Sequence, residues 1–407
     1  MSINWRGLAW GRAILSSAAI VALAQPALAE PISEADAVAR ALALPEYDAL
    51  GAAEGDAANA RIRAIGRFDN PEARISREGV SGPAGRETEW HGEISQPIDV
   101  SGRRAGLREA ARFEAQAVGA DVARRRQRRV AEVREAYAGC AAATDKVGIQ
   151  RDFAARLREA ERIVGLRTRA GDTAGYDLRR LRVEARGADA QLQLATGEIQ
   201  AECATLSRMT GMADARPSVA LSALVPASVA AVAITSRQDI VAREARVASA
   251  QAEVRAAERS RIPDLTIGVG YKRLSNDEGS AGGPTVSLGA RIPIFNNNGA
   301  AIAEARARQR IRQAELALSR REVDSSIAAA SARAGAAIAA ALTAREAAGD
   351  AARLGTIAEA AYQGGESGVV ELVDAYRTAR DAQLEIVEIT ERAVRATITQ
   401  SLAEGRE

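Results

Sequence analysis

The chain is poor in the residues that build metal sites and catalytic centres. Its 407 residues include two cysteines, Cys140 and Cys203, and one histidine, His91. No Cys/His cluster has metal-ligand spacing, so no structural metal and no resident cofactor are expected. No glycine-rich phosphate loop, nucleophilic triad or general acid–base pair stands out, and an enzyme is not expected. Aromatic residues make up 3% of the chain, which is thin for an ordinary globular core. Alanine fills the apolar quota instead, and small side chains suit long helices packed close together. A net charge of one sign is missing too: with Arg6 and Arg12 set aside, 53 basic side chains face 53 acidic ones. That balance argues against nucleic acid as a partner, because binding phosphates needs a net basic face. The one basic run, Arg124-Arg125-Arg126-Gln127-Arg128-Arg129, reads as a solvated helix face balanced by acids elsewhere.

Proline is absent from two stretches, each longer than 110 residues: between Pro97 and Pro217, and after Pro293. Because proline is excluded from helix interiors, each gap is expected to hold two long helices. Leu178, Leu181, Ala185, Ala188, Leu192, Ala195 and Ile199 step by alternating threes and fours, and Leu206 follows. Leu384, Val387, Val394 and Ile398 continue that pattern in the second gap. These are coiled-coil seams. Helices of about 60 residues would be roughly 90 Å long, so each gap is expected to fold as a long antiparallel hairpin. After residue 29 no run of 18 apolar residues occurs, so no transmembrane helix is expected.

The chain also says the same thing twice. Gly171 and Gly365, Pro71 and Pro263, and Pro97 and Pro293 are separated by 194, 192 and 196 residues. Three landmarks with nearly one offset indicate a tandem duplication. In each copy an alternating stretch precedes the helices. Leu265, Ile267, Val269 and Tyr271 oppose Thr266, Gly268, Gly270 and Lys272; Val286, Leu288, Ala290 and Ile292 oppose Thr285, Ser287, Gly289 and Arg291; Trp90, Gly92 and Ile94 oppose His91, Glu93 and Ser95. Strands of this length with one apolar face fit an outer-membrane barrel. Four strands cannot close a barrel, and lipid tolerates no open edge, so a membrane reading requires an oligomer. Two chains would give eight strands with a filled interior; three would give twelve and a lumen.

At the start, Arg6 and Arg12, the mostly apolar run Ala13 to Ala24 and Ala27-Leu28-Ala29 form an export signal over 1–29 with an A-x-A cleavage site. No cysteine follows that site, so no lipid anchor is expected there. The remaining segments are N-terminal periplasmic helices over 30–69, a strand pair over 70–100, a helical hairpin over 101–211, a linker over 212–235, a helix over 236–261, a second strand pair over 262–295 and a second hairpin over 296–407. Cys140 and Cys203 lie 31 and 32 residues on either side of Gly171. A hairpin turning there sets them side by side, and in an oxidising compartment they are expected to form a disulfide.

Over essentially its whole length after the signal, this pattern resembles the TolC family of outer-membrane efflux ducts. The tip Tyr362-Gln-Gly-Gly365-Glu-Ser-Gly-Val-Val-Glu371-Leu-Val-Asp374-Ala matches the family's inner-helix tip. Gly92 to Arg104 and Arg291 to Ala305 resemble its cobalt–zinc–cadmium branch. The resemblance implies a mostly α fold with membrane β: a homotrimer with a twelve-stranded barrel in outer-membrane lipid above an α-barrel in the periplasm. It implies a duct without catalysis, docked to a periplasmic membrane-fusion adaptor and an inner-membrane pump. The cargo of that branch is divalent metal cations. The other readings are a duct for drugs or organic solutes, and an exported periplasmic coiled-coil protein that never enters a membrane.

Glu371 and Asp374, at i and i+3, share a helix face. Threefold symmetry would ring the constriction with six carboxylates, a cation-selective arrangement. The resemblance places Tyr362 and Asp177 at gate positions. It makes Gly171, Asp172, Thr173, Gly365, Glu366 and Ser367 the adaptor-docking tips. The chain departs from the family's best-known member at Ser367, where an Arg completes the gate network, so a closed gate here needs another contact.

Overall fold

The computed structural model describes residues 30–83, 85–171, 175–226 and 237–406. The expected signal, 1–29, lies outside the described residues, as do Asp172 and Thr173. The chain order is β1 (Glu30–Ile32), α1 (Glu34–Leu42), α2 (Pro45–Gly66), β2 (Glu72–Gly82), β3 (Gly85–Ile98), α3 (Arg103–Ala170), α4 (Gly175–Thr210), β4 (Ala215–Pro217), a 3-10 turn (Leu221–Leu224), α5 (Gln238–Arg259), β5 (Leu265–Asn276), β6 (Gly279–Ala290), α6 (Gly299–Gln363) and α7 (Val369–Glu404).

The hairpins are lopsided, and this corrects the expectation of four helices of similar length. α3 and α6 run for 68 and 65 residues, about 100 Å each, while α4 and α7 stop at 36. The half of α3 nearer the sheet packs instead on α5 and α2, and the matching half of α6 packs on α5. Gly211 and Gly405, with φ of 72° and 77°, explain why the return arms end there. In each case an amide beyond the glycine bonds back five residues, Met212 N–H to Ser207 O and Arg406 N–H to Ser401 O, closing a Schellman stop.

Both long helices start from a residue in the left-handed region, Gly102 (φ 70°) and Asn298 (φ 61°), separated by the same 196 residues as the repeat. Asp99 anchors the first start: its carboxylate accepts from the amides of Ser101, Gly102 and Arg104 and from Ser101 Oγ. Burial would raise its pKa, but the Ser101 and backbone hydrogen bonds prevail and hold it below the usual carboxylate range.

Four strands form one antiparallel sheet in the order β2-β3-β5-β6, leaving β2 and β6 as open edges. The register pairs Ile94 with Val269 and Val269 with Val286. One face therefore carries Ile75, Trp90, Ile94, Ile267, Val269, Tyr271, Val286 and Leu288, all exposed in the single chain. The opposite face carries Glu72, Glu78, Glu87, Glu89, Glu93, His91 and Lys272. There Lys272 pairs with Glu89 at 2.7 Å, and His91 Nε2 lies 3.2 Å from Thr285 Oγ1.

A waist lies between sheet and tips, and it holds a feature that no sequence pattern announces. β1 and β4 pair in parallel, Glu30 with Ala215 through Ile32 with Pro217. The buried Tyr137 hydroxyl donates to Ile32 O (3.0 Å) and accepts from Ser218 N–H (3.1 Å). Below it, Cys140 and Cys203 are joined by a disulfide, with Cα atoms 4.7 Å apart. The arginine run is also corrected here. Arg124 and Gln127 are buried, donating to Leu402 O (2.9 Å) and Gly405 O (2.6 Å) at the end of α7. Carbonyl oxygens at the helix end and the negative end of the helix dipole draw these donors inward.

α6 departs from expectation as well. By length and composition it is apolar enough to cross a membrane, with a window of mean hydropathy 1.5. Alanine supplies that value, and 22% of the window is buried in the single chain.

Candidate pore site at the hairpin tips

Each tip carries a glycine in the left-handed region. α3 ends at Gly171 (φ 88°) and α6 turns through Gly365 (φ 79°), a backbone state that favours glycine. At the second tip, Glu366 N–H bonds to Ala361 O (2.9 Å) and Gly365 N–H to Tyr362 O (3.2 Å), again a Schellman closure. Gly365 and Glu366 are exposed at its end. The Ser367 hydroxyl is buried without a hydrogen-bond partner.

Behind the tips one apolar core binds both hairpins: Phe153, Leu157 and Val164 of α3, Leu181 and Ala185 of α4, Tyr362 of α6, and Leu372, Val373 and Tyr376 of α7. The seam residues Leu181, Ala185 and Ala188 are buried as their spacing requires. Tyr362 sits inside this core with the Arg167 guanidinium 5.3 Å from its ring centre. Asp177 lies half-buried in the first turn of α4, and no hydrogen bond joins it to Tyr362 among the described residues.

Glu371 and Asp374 both point away from that core and are exposed on one face of α7. Glu371 also caps the helix it belongs to, its Oε2 accepting from Gly368 N–H at 3.1 Å.

The residues that hold one hairpin to the other were not singled out in the sequence. Arg377 of α7 grips both carboxylate oxygens of Glu184 on α4, at 2.5 and 2.6 Å. Arg380 lies 4.4 Å over the Phe153 ring, and Arg156 lies 5.7 Å over Tyr376. Arg156 also meets Glu359 at 3.8 Å. A signal was available: Glu184 and Arg377 are 193 residues apart, so they occupy nearly equivalent places in the two repeats.

Burial, reinforced by Glu359 and only partly offset by Arg156, pushes the Tyr376 phenol up to about 12. The folded chain keeps a proton that the unfolded chain loses near pH 10, so stability falls as pH rises from about 10 to 12, by about 1–2 kcal/mol. The tyrosinate absorbance difference between wild type and Tyr376→Phe is expected to have its midpoint near pH 12. A midpoint near 10 would mean that the ring is solvated.

The comparisons with known proteins agree with this architecture. The family model described as outer membrane efflux protein matches residues 37–212 and again 229–404, one match per repeat. The nickel-cobalt-cadmium resistance protein NccC of Alcaligenes xylosoxydans xylosoxydans is 27% identical over 255 residues, covering 61% of this chain and 56% of NccC. The chain thus spans little more than half the length of that curated relative. CusC, solved in a study of folding and transmembrane channel formation, superposes with a TM-score of 0.75 at 18% identity over 94% of each chain. The open state of the Neisseria gonorrhoeae MtrE outer membrane channel superposes with a TM-score of 0.76 at 16% identity, over 92% of this chain and 89% of that one.

Paired tips under an open, amphipathic sheet define the subunit of an outer-membrane duct rather than an enzyme. The chain belongs to the outer membrane efflux protein family, the TolC-like channels, with a relative in heavy-metal resistance.

Proposed function

We propose that this protein is the homotrimeric exit duct of a tripartite efflux system, exporting divalent heavy-metal cations across the outer membrane. The observation that carries the duct is the sheet. It has two open edges, one face free of acids and rich in apolar side chains, and about 100 Å of paired helix beneath it. Open edges are not tolerated in lipid, and edge-to-edge closure of three such sheets gives twelve strands. Leu318, Leu342 and Ile357 of α6 and Val183 and Leu194 of α4 are exposed in the single chain, and neighbouring copies would cover much of this surface.

The cation reading is favoured by charge. All five acids within the sheet's strands lie on the face away from the apolar one, so in a closed barrel they line the lumen. At the far end Glu371 and Asp374 are exposed together. Carboxylates at both ends of a pore favour cations. The resistance named in NccC, nickel, cobalt and cadmium, is the same class of cargo. The adaptor and the inner-membrane pump would engage the exposed tips at Gly171 and at Gly365-Glu366. The segment 1–29 would export the chain.

The test is tolerance to zinc, cobalt, cadmium and nickel in a deletion strain, with a drug panel beside it. Wild type is expected to restore metal tolerance. Glu371→Gln/Asp374→Asn is expected to restore it only in part, while forming trimers normally. Drug sensitivity with normal metal tolerance would keep the duct and replace the cargo with organic solutes.

A further inference from the structure

The sheet segregates charge as sharply as hydropathy. Its apolar face carries no acid, yet it carries three arginines, Arg77, Arg86 and Arg273. Arg77 of β2 and Arg273 of β5 sit on either side of Trp90 of β3, because the register pairs Trp90 with both. Arg77 and Trp90 touch: the guanidinium carbon lies 5.5 Å from the ring centre. Among the described residues neither Arg77 nor Arg273 has an acidic partner, and Arg273 meets only Ser280 Oγ at 3.5 Å. The row's height matters. On the helix side of it lie Tyr271, Ile75, Val269 and Ile94; on the other side only Gly79, Ser81, Arg86, Thr88, Ser275 and Ser280 precede the hairpin turns. The row therefore caps the apolar band at the end away from the periplasmic helices.

We infer that Arg77, Trp90 and Arg273 form a binding row for the phosphates of an outer-leaflet glycolipid. This rests on the duct reading, which puts the apolar face in lipid and the turns outside. A lipid-facing arginine is costly unless it reaches the interface and an anion there. Arginine, unlike lysine, takes phosphate with two parallel N–H donors. Trp90 is an interfacial ring that holds Arg77 in place by its π face. Glutamates would serve solubility at this height equally well, but the face has none.

Trp90 is the one tryptophan after residue 29, so its emission reports on the row. The experiment titrates a diphosphorylated glycolipid of the lipid A type, and its dephosphorylated form, into the detergent-purified trimer. Native mass spectrometry counts the lipids retained. Binding of the phosphorylated lipid is expected to shift Trp90 emission and to weaken with salt, and inorganic phosphate alone is expected to leave the emission unchanged. Arg77→Gln/Arg273→Gln is expected to lose affinity by roughly 30-fold, about fivefold for each arginine near an anionic surface. Equal binding of the two lipids by wild type overturns the inference without any variant, and so does a trimeric double variant that binds like wild type. A chain that forms no membrane-inserted trimer overturns the duct reading and this inference together.

Discussion

Cys140→Ala/Cys203→Ala is expected to lower the stability of the helical region by about 2–4 kcal/mol at fixed protein concentration. The bond closes a loop spanning 63 residues of sequence, so the reduced chain regains the entropy of a long open loop when it unfolds. The site amplifies the effect. Both cysteines are buried in the waist core with Tyr137, Val133, Leu206 and Ile32, so alanine also leaves room where sulfur was packed. Guanidinium unfolding followed by helical circular dichroism measures this, and wild type treated with a phosphine reductant should lose the loop-closure part alone and so less than the variant. Two free thiols in the exported protein by non-reducing mass spectrometry would sink the expectation.

Leu157→Ala is expected to loosen the tips while leaving the sheet end intact. Leu157 is fully buried in the core shared by both hairpins, where removing a leucine side chain costs about 2–5 kcal/mol. Because that core is separate from the waist core, the cost falls on local opening rather than on the whole chain. Arg167 and Arg169, in the last turn of α3, are trypsin sites that report it. Their cleavage should rise about 30-fold or more while sites in α5 keep their rate. Uniform acceleration along the chain would mean that the two halves unfold as one.

Much of the fold could be read because proline and glycine act locally. Proline-free gaps marked the long helices, and equal offsets exposed the repeat. Gly171 and Gly365 turn where they do because of their own backbone freedom, with no help from distant residues. What escaped was set at a distance. The ends of α4 and α7 depend on which helix covers the remaining half of α3 and α6, and no periodicity within one helix announces that. Pairing of Glu30–Ile32 with Ala215–Pro217 joins segments too short to carry an alternating pattern of their own. The Arg124 run misled because charge density predicts solvent, whereas here carbonyls 278 residues away claim the donors. At the tips, the shared face of Glu371 and Asp374 was legible from an i, i+3 spacing. The cross-hairpin grip of Arg377 on Glu184 required knowing how the two repeats lie against each other.

The lopsided hairpins have a mechanical meaning. Of the tip-side helices, α4 and α7 end at the waist, and of the sheet-side helices, α2 and α5 begin there; α3 and α6 alone run through, unbroken. Torque applied at the tips can therefore reach the sheet through two shafts per chain. The short arms stop at their glycines and make no covalent continuation into the barrel strands, and their waist ends are held to α3 by the Arg124 and Gln127 hydrogen bonds and by the disulfide. The covalent link between Cys140 and Cys203 sits near the point where α3 exchanges one partner for the other, and it fixes α4 to α3 there. In an assembled duct, a displacement of the tips would therefore reach the sheet only along α3 and α6.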